Sequence, residues 1–397
     1  MLSNQNQILV INSGSSSIKF ALYQREEPLK QYLRGEMVNI GAKNTKLNFS
    51  HSVSDQNVSI STGTTGHNDA ADFMIDWIGK QIGFNSIGAI GFRVVHGLEL
   101  NNPEQITPKL LTELKVFSDY DPEHFPQEID LIARFQKLHP SILQIACFDT
   151  SFHSLMSGVA KLLPIPRKYL FMGIRRYGFH GLSYSYLMEE LLKLRGEKII
   201  KEKIILVHLG NGASLAAVKN GKSIDTSMGF TPVSGIPMST RTGDLDPGVV
   251  SYLMQGEKLN KKQFSTMINR ESGLLGISET NSDMRELLKL QDADNRAAEA
   301  IELFCYQTKK WIGSFAAALG GLDRVVFSGG IGENAPEIRE RICRDLQFLG
   351  IELDQKRNAN NEETISSDTC TVGIHVIKTN EELMIAKLVS DTLNVKH

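Results

Sequence analysis

Two stretches of this sequence repeat one short design, and that repetition limits the fold more than any other feature. Residues 8–22 (ILVINSGSSSIKFAL) read as strand, glycine turn and strand. Residues 204–218 (IILVHLGNGASLAAV) read the same way. Runs of β-branched and apolar residues bounded by Gly, Asn and Ser form strands joined by tight turns. After the second unit, Asn220-Gly221 is a two-residue hairpin signal, because both positions tolerate the positive φ that such a turn needs. Two halves that each open on a hairpin around a Gly/Ser turn point to a duplicated α/β domain.

The rest of the chain fits that class. Helical spacing runs over residues 70–82, 107–117, 127–138, 184–194, 297–319 and 336–346. Short apolar runs at 87–90, 142–148, 324–327 and 374–377 read as buried strands. Strands alternating with helices predict a largely parallel or mixed sheet covered on both faces. The segment 162–176, with two prolines and four basic residues, is a candidate crossing between the halves. Thr379-Asn-Glu-Glu382 is another, read as a capping box that opens a last helix over 383–393.

Composition removes several function classes. Forty-three Lys and Arg against forty-five Asp and Glu leave a net charge of −2, without the basic footprint that nucleic acid or an anionic membrane would want. Cys147, Cys305, Cys343 and Cys370 are far apart and form no CxxC pair, as expected of thiols in a reducing compartment. A polar start before Ile8 gives no signal-peptide pattern, and no run approaches the ~18 apolar residues of a membrane span. A cytoplasmic enzyme is therefore expected.

Chemistry is expected at the turns. In Asn12-Ser-Gly-Ser-Ser-Ser17, Gly14 frees backbone N–H groups, and the three hydroxyls after it and Lys19 stand nearby, a cradle for phosphate oxygens. The turn His208-Leu-Gly-Asn-Gly212 occupies the equivalent place in the second half. A third loop, Ser328-Gly-Gly-Ile-Gly-Glu-Asn334, leaves a strand and leads to a helix starting near Pro336, a residue suited to a first helical turn. Gly330-Ile-Gly332-Glu-Asn-Ala335 matches GxGxxA, but it lies late in the chain without the acidic partner of a dinucleotide site. Gly221-Lys222-Ser223 lacks the earlier glycine of a P-loop, which would fall at Ala216. Arg93, Arg241 and the glycine-flanked His180 are candidates for holding anions, since guanidinium forks match carboxylate and phosphoryl oxygens. Asp149 follows an apolar strand, where α/β proteins place catalytic groups. The histidines show no HxxxH or HExxH spacing, so zinc is not expected.

Taken together, these blocks resemble the acetate kinase family, in the superfamily of sugar kinases, heat-shock ATPases and actin. The matching segments are NSGSSSIKF (12–20), RVVHG (93–97), FDTSFH (148–153), RRYGFHG (175–181), HLGNGAS (208–214), SGLLGIS with SDMR (272–285), GGIGEN (329–334) and TNEELMIA (379–386). The resemblance implies two duplicated actin-like, ribonuclease H-like domains with ATP in a cleft between them. It places one over 1–150 with a returning helix at 383–397. The other, over 151–382, would bind nucleotide and supply a homodimer interface.

The resemblance also implies reversible in-line transfer of the γ-phosphoryl of ATP to acetate, with ADP as product and Mg²⁺, or Mn²⁺ in its place, as the metal. Propionate or another short-chain carboxylate is the alternative acceptor, and a non-catalytic ATP-binding relative is the alternative of another class. Carried over by position, Asn12 and Glu381 would hold the metal, and Ser15, Ser17 and Lys19 would serve the phosphate loop. Arg93, Val95, Phe179 and Pro232 would bind the carboxylate substrate. Asp149, His180 and Arg241 would be catalytic, with Asp149 favoured as an orienting group because a carboxylate substrate is already a nucleophile. His208, Leu209, Gly210, Asn211, Gly212, Asp283, Met284, Arg285, Gly330, Ile331, Gly332, Glu333 and Asn334 would line the nucleotide. Glu382 would turn back onto the Thr379 backbone, leaving Glu381 for the metal.

Several positions depart from the family pattern. Phe92 stands for histidine, Leu98 and Ser239 for glycines, Leu182 and Tyr184 for threonine and histidine, and Glu123 for a leucine of the acyl pocket. Glu123 is expected to raise the KM for acetate, since a carboxylate beside the incoming carboxylate repels it.

Overall fold

A computed structural model describes residues 6–14, 17–41, 44–52, 57–116 and 125–395. The chain forms two compact units: residues 1–151 with 380–397, and residues 152–379. The chain leaves the first unit at Ser151 and returns at Asn380, so the proline-rich segment 162–176 lies inside the second unit and is no crossing. Its short helix Lys168–Phe171 belongs there, as does the helix Gly158–Lys161 just before it.

The strands of the first unit are β1 (Gln7–Ser13), β2 (Ile18–Gln24), β3 (Lys30–Val38), β4 (Lys46–His51), β5 (Val58–Ser61), β6 (Ile87–Val94), β7 (Glu104–Gln105) and β8 (Leu143–Phe148). They form one sheet in the order β5-β4-β3-β2-β1-β6-β8-β7. In the second unit β9 (Lys203–Leu209), β10 (Ala213–Lys219), β11 (Lys222–Thr226), β12 (Arg324–Ser328) and β13 (Gly373–Val376) are ordered β11-β10-β9-β12-β13.

The duplication is exact at the level of pairing. β1 pairs antiparallel with β2 and parallel with β6, as β9 pairs with β10 and β12. A second parallel neighbour follows in each: β8 beside β6, and β13 beside β12. The Asn220-Gly221 turn joins β10 to β11 with both residues at positive φ, 53° and 70°, which fits the right-handed twist of the flanking strands.

Burial explains why the central strands are almost wholly apolar. Ile8 to Ile11 and Ile204 to Val207 are buried throughout, as strands covered on both faces require. The last helix, Glu381–Val395, packs on β6 at Gly91, where a Cβ would lie 2.7 Å from methyls of Ile385 and Val389. In the second unit the helix Gly181–Arg195 contributes Tyr184, Leu187 and Leu191 to a core with Ile204, Leu206, Ala216 and Val326. Among the described residues no helix is long and apolar enough to cross a membrane.

One buried polar group makes this unit sensitive to acid. His375 in β13 is fully buried, and its Nε2 lies 2.5 Å from Arg324 Nη1, while Arg324 also binds Glu202 through Nε at 2.7 Å and Nη2 at 3.0 Å. Burial, then the charges of Arg324 and Arg195, lowers the His375 pKa to about 4. The unfolded chain therefore takes up a proton near pH 6.5 that the folded chain refuses until about pH 4. This contribution to stability is complete above pH 6.5 and is lost as pH falls toward 4, with a slope of at most ~1.4 kcal/mol per unit. Urea unfolding between pH 7 and pH 5 is expected to show this loss, and His375→Gln should have a flatter profile over the same window.

Candidate active site

In the first unit, Asn12 near the end of β1 faces two carboxylates. Its Nδ2 donates to Glu381 Oε2 and to Glu382 Oε1, each at 3.0 Å. Lys19 is the cross-strand partner of Asn12 on β2, and Glu36 on β3 is in turn the partner of Lys19. Desolvation pulls the Lys19 pKa down, but Glu382, Glu381 and Glu36 outweigh it and the net shift is upward. Burial raises the Glu382 carboxyl, opposed by Lys19 and reinforced by the like charge of Glu381.

The capping-box reading of this segment is overturned. Asn380 Oδ1 accepts the Leu383 N–H at 2.9 Å, so Asn380 caps the last helix and Glu382 is drawn to Asn12. The Thr379 N–H instead donates to Glu333 Oε1 at 3.0 Å. Carboxylates and an amide are the hard oxygen donors that Mg²⁺ takes, and Mg²⁺ ordinarily needs only one or two protein carboxylates besides water and phosphate. Asn12, Glu381 and Glu382 fit that ion, although no cluster of three or more His, Cys, Asp or Glu ligands occurs among the described residues.

Arg93 and Asp149 also meet. Arg93 lies near the end of β6, and Asp149, fully buried, directly follows β8 in the adjacent parallel strand. Arg93 Nη2 and Nε donate to Asp149 Oδ2 at 2.8 and 3.3 Å, and Nη1 donates to the Ser13 carbonyl at 3.3 Å. A third partner was not anticipated. Glu128 Oε1 lies 3.6 Å from Arg93 Nη1, while Oε2 accepts the Val95 N–H at 2.9 Å. Burial disfavours the guanidinium charge, but Asp149, Glu128 and Glu381 outweigh it and raise the Arg93 pKa. The signal for Glu128 was a charged residue on the apolar stripe of the helix Phe125–Leu138, among Phe125, Ile129, Ile132 and Phe135.

The second unit gathers the remaining cationic and glycine-rich elements. Ser328 ends β12 in register with His208 on β9. The segment after it, expected as a loop, is the short helix Gly329–Asn334, which leaves the sheet beside the turn after β9. Gly329 needs its φ of 76° there, since a Cβ would strike the Leu209 carbonyl at 2.6 Å. A Cβ on Gly210 would lie 3.6 Å from His208 Nε2 and 4.0 Å from the Gly330 nitrogen. A Cβ on Gly212 would lie 3.2 Å from His180 Nε2 and 3.7 Å from Arg241 Nη1. The Arg241 guanidinium, the His180 imidazole and the bare backbone thus converge on one space.

Its walls are held from behind. His180 stacks on His208 with ring centroids 4.3 Å apart, and His208 Nδ1 is 2.9 Å from Ser183 Oγ. Arg241 Nη1 donates to the Pro232 carbonyl at 3.0 Å. Ser239, where the family pattern has glycine, donates through its hydroxyl to Asn211 Oδ1 and through its N–H to the Asn211 carbonyl, both at 3.3 Å. That pair ties the Arg241 turn to the glycine turn. Gly273, at φ 59°, lets the 273–278 helix press on the same turn, where a Cβ would lie 2.6 Å from the Arg241 carbonyl.

Other expected nucleotide residues have local duties. Glu333 Oε1 accepts the Gly329 N–H at 2.9 Å as well as that of Thr379, so its carboxylate is committed to the first turn of its own short helix and to the Thr379 backbone. Asp283 caps the helix Met284–Leu290 and pairs with Arg285 at 2.6 Å, a hydrogen bond that lowers the Asp283 pKa. Met284 is buried in the core, whereas Arg285 is exposed. Gly332 is buried, and Asn334 Nδ2 donates to the Gly330 carbonyl at 2.9 Å. Leu209, Val95, Phe179 and Pro232 are all buried. Gly14 donates to the Ser17 carbonyl at 2.8 Å across the first turn. Ser15, and Glu123 with its neighbours Pro122 and His124, lie outside the described residues.

The Acetokinase family model matches residues 7–387. An acetate kinase of Rhodopseudomonas palustris (strain TIE-1) is 43% identical over 387 residues, which cover 96% of each chain. A propionate kinase of Citrobacter rodentium is 39% identical over 388 residues, again 96% of each. Among solved structures, a propionate kinase from Francisella tularensis subsp. tularensis SCHU S4 superposes with a TM-score of 0.89 at 37% identity, over 96% of this chain and 98% of that one.

The Glu128 contacts predict a graded loss of stability. Glu128→Ala removes one of the carboxylates around Arg93 and the acceptor of the Val95 N–H, and should cost about 2–3 kcal/mol in urea unfolding. Glu128→Gln keeps an acceptor for that N–H and should lose about half as much.

Proposed function

The chain belongs to the acetokinase family, and we propose that it transfers the γ-phosphoryl group of ATP to acetate, reversibly, giving acetyl phosphate and ADP. The observation that carries this reading is the convergence of His180 Nε2 and Arg241 Nη1 over Gly212, in the glycine turn whose Gly210 faces the Gly330 nitrogen. Phosphoryl transfer asks mainly for alignment and for charge on the equatorial oxygens of the moving group. Positively charged and N–H donors fixed before the reaction provide it without reorganisation.

In the forward step a carboxylate oxygen of acetate forms a bond to the γ-phosphorus in line with the bond that breaks. The electron pair of that bond stays on the leaving oxygen of ADP. Acetate attacks as an anion, so no proton has to be removed. Asp149, bound by two Arg93 nitrogens, suits orientation of the guanidinium that would hold the acetate carboxylate. Val95, Phe179 and Pro232 would meet its methyl group. Asn12 and Glu381, joined by Glu382, would hold Mg²⁺, which when bound neutralises phosphate charge.

The reading extends to the whole protein. We place it in the cytoplasm, consistent with buried free thiols at Cys147, Cys305 and Cys343. We also propose a homodimer formed through the second unit. Support comes from large apolar side chains left exposed there, among them Val159, Phe171, Met172 and Tyr252.

Trapping acyl phosphate with hydroxylamine across a panel of short carboxylic acids tests the activity. Acetate is expected to give acyl phosphate in the presence of ATP and Mg²⁺. Product from propionate alone would reassign the acceptor, and ATP binding with no product from any acid would make the chain a non-catalytic relative. Arg241→Ala should lower kcat by about 10²–10³-fold with little change in ATP affinity. Near-normal turnover in that variant would make Arg241 a structural residue.

A further inference from the structure

His180 occupies an unusual backbone position. It sits at the N-cap of the helix Gly181–Arg195 with φ 59° and ψ 23°, the left-handed region that few non-glycine residues adopt. That conformation directs its ring across the unit toward β10, where Nδ1 lies 2.8 Å from Ser214 Oγ. Ser214 is fully buried and has a second partner on the same oxygen. The Tyr184 hydroxyl, one helical turn after His180, lies 2.5 Å away. Tyr184 is itself fully buried, its ring packed among Leu187, Ile204 and Ala216, so its hydroxyl is delivered to Ser214 by the core.

A serine hydroxyl has one hydrogen, so between two partners it donates to one and accepts from the other. Two directions satisfy the chain. If Tyr184 donates to Ser214, then Ser214 donates to Nδ1 and the imidazole proton resides on Nε2. If Nδ1 carries the proton, Ser214 must donate to the phenol oxygen. A phenol is far more acidic than an aliphatic alcohol, hence the better donor and the poorer acceptor. The first direction prevails. It leaves His180 with an Nε2–H donor on the side where Nε2 and Arg241 Nη1 approach Gly212.

We propose that Tyr184 is a positioning residue which, through Ser214, holds His180 in the Nε2–H tautomer. In that form the ring offers a hydrogen bond to a transferring phosphoryl oxygen. The value of this device for turnover rests on the proposed role of His180; the tautomer itself does not. Tyr184 stands where the family pattern has histidine, so the relay uses a side chain that departs from that pattern.

Nitrogen-15 NMR of the full chain labelled at histidine reads the tautomer directly, with the His180 signal assigned by its loss in His180→Gln. The native protein should show a protonated Nε2 and an unprotonated Nδ1. In Tyr184→Phe the serine hydroxyl is free to reverse, and an Nδ1–H population should appear. Ser214→Ala should show the same change and keeps the test usable if Tyr184→Phe folds poorly. Each variant should lose about tenfold in kcat, roughly the worth of one well-placed hydrogen bond, with KM for ATP and acetate nearly unchanged. The double variant should fall little further, as expected for members of one chain. An unchanged His180 tautomer in folded Tyr184→Phe and Ser214→Ala would overturn the proposal. Native turnover in His180→Gln would instead overturn the catalytic role of His180, whatever the tautomer shows.

Discussion

Parallel pairing beside the first hairpin of each unit is the constraint on which the candidate residues of each unit depend. In the first sheet, Ile11 is level with Phe92 and Val94 with Phe148. That register brings the ends of β1, β6 and β8 to one edge, and with them Asn12, Arg93 and Asp149. In the second sheet, Ser328 level with His208 does the same for the glycine turn after β9 and the glycine-rich helix after β12. Parallel neighbours end together and release their loops together, which is why α/β sheets bind ligands at that edge. The antiparallel partner on the other side, β2 or β10, adds Lys19 to one unit and Ser214 to the other.

The two units use this common frame for different electrostatics. The first interleaves acids and bases: Lys19 among Glu36, Glu381 and Glu382, and Arg93 between Asp149 and Glu128. Each cation there is held charged by neighbours that more than offset its desolvation. The second unit turns His180, Arg241 and exposed backbone toward a space that glycine keeps open at Gly212. Oxygen ligands with a guanidinium suit a metal and a carboxylate, whereas N–H donors suit a phosphoryl group. Those are the components of phosphoryl transfer to an acid.

Departures from the family pattern are absorbed by specific bonds. Ser239 ties the Arg241 turn to Asn211, a link that glycine cannot make with a side chain. Tyr184 reaches Ser214. Leu98 accepts a φ of 54°, a conformation that costs a leucine more than the glycine it replaces, and its N–H is taken by His96 Nδ1 at 3.0 Å. Phe92 settles against Phe135 in the core, with ring centroids 5.5 Å apart.

The strand–turn–strand repeat, the Asn220-Gly221 hairpin and the amphipathic helices could all be read from the sequence, because each is a local pattern with a period or a turn chemistry; the glycine-rich 328–334, expected as a loop, is a short helix. The family followed from the same blocks in order. What residues 8–22 and 204–218 could not reveal is which side chains meet across the fold. Glu128 lies on the apolar stripe of its helix, but only the packing of that helix shows that its partner is Arg93. Glu382 looked like half of a capping box until Asn380 took the cap and Asn12, distant in the chain, took the carboxylate. Tyr184 is four residues from His180, yet the bond that links them passes through Ser214 on another strand. Helix and turn formation answers to neighbours along the chain, whereas a hydrogen bond between distant residues depends on how strands register and helices pack, which only the tertiary structure decides.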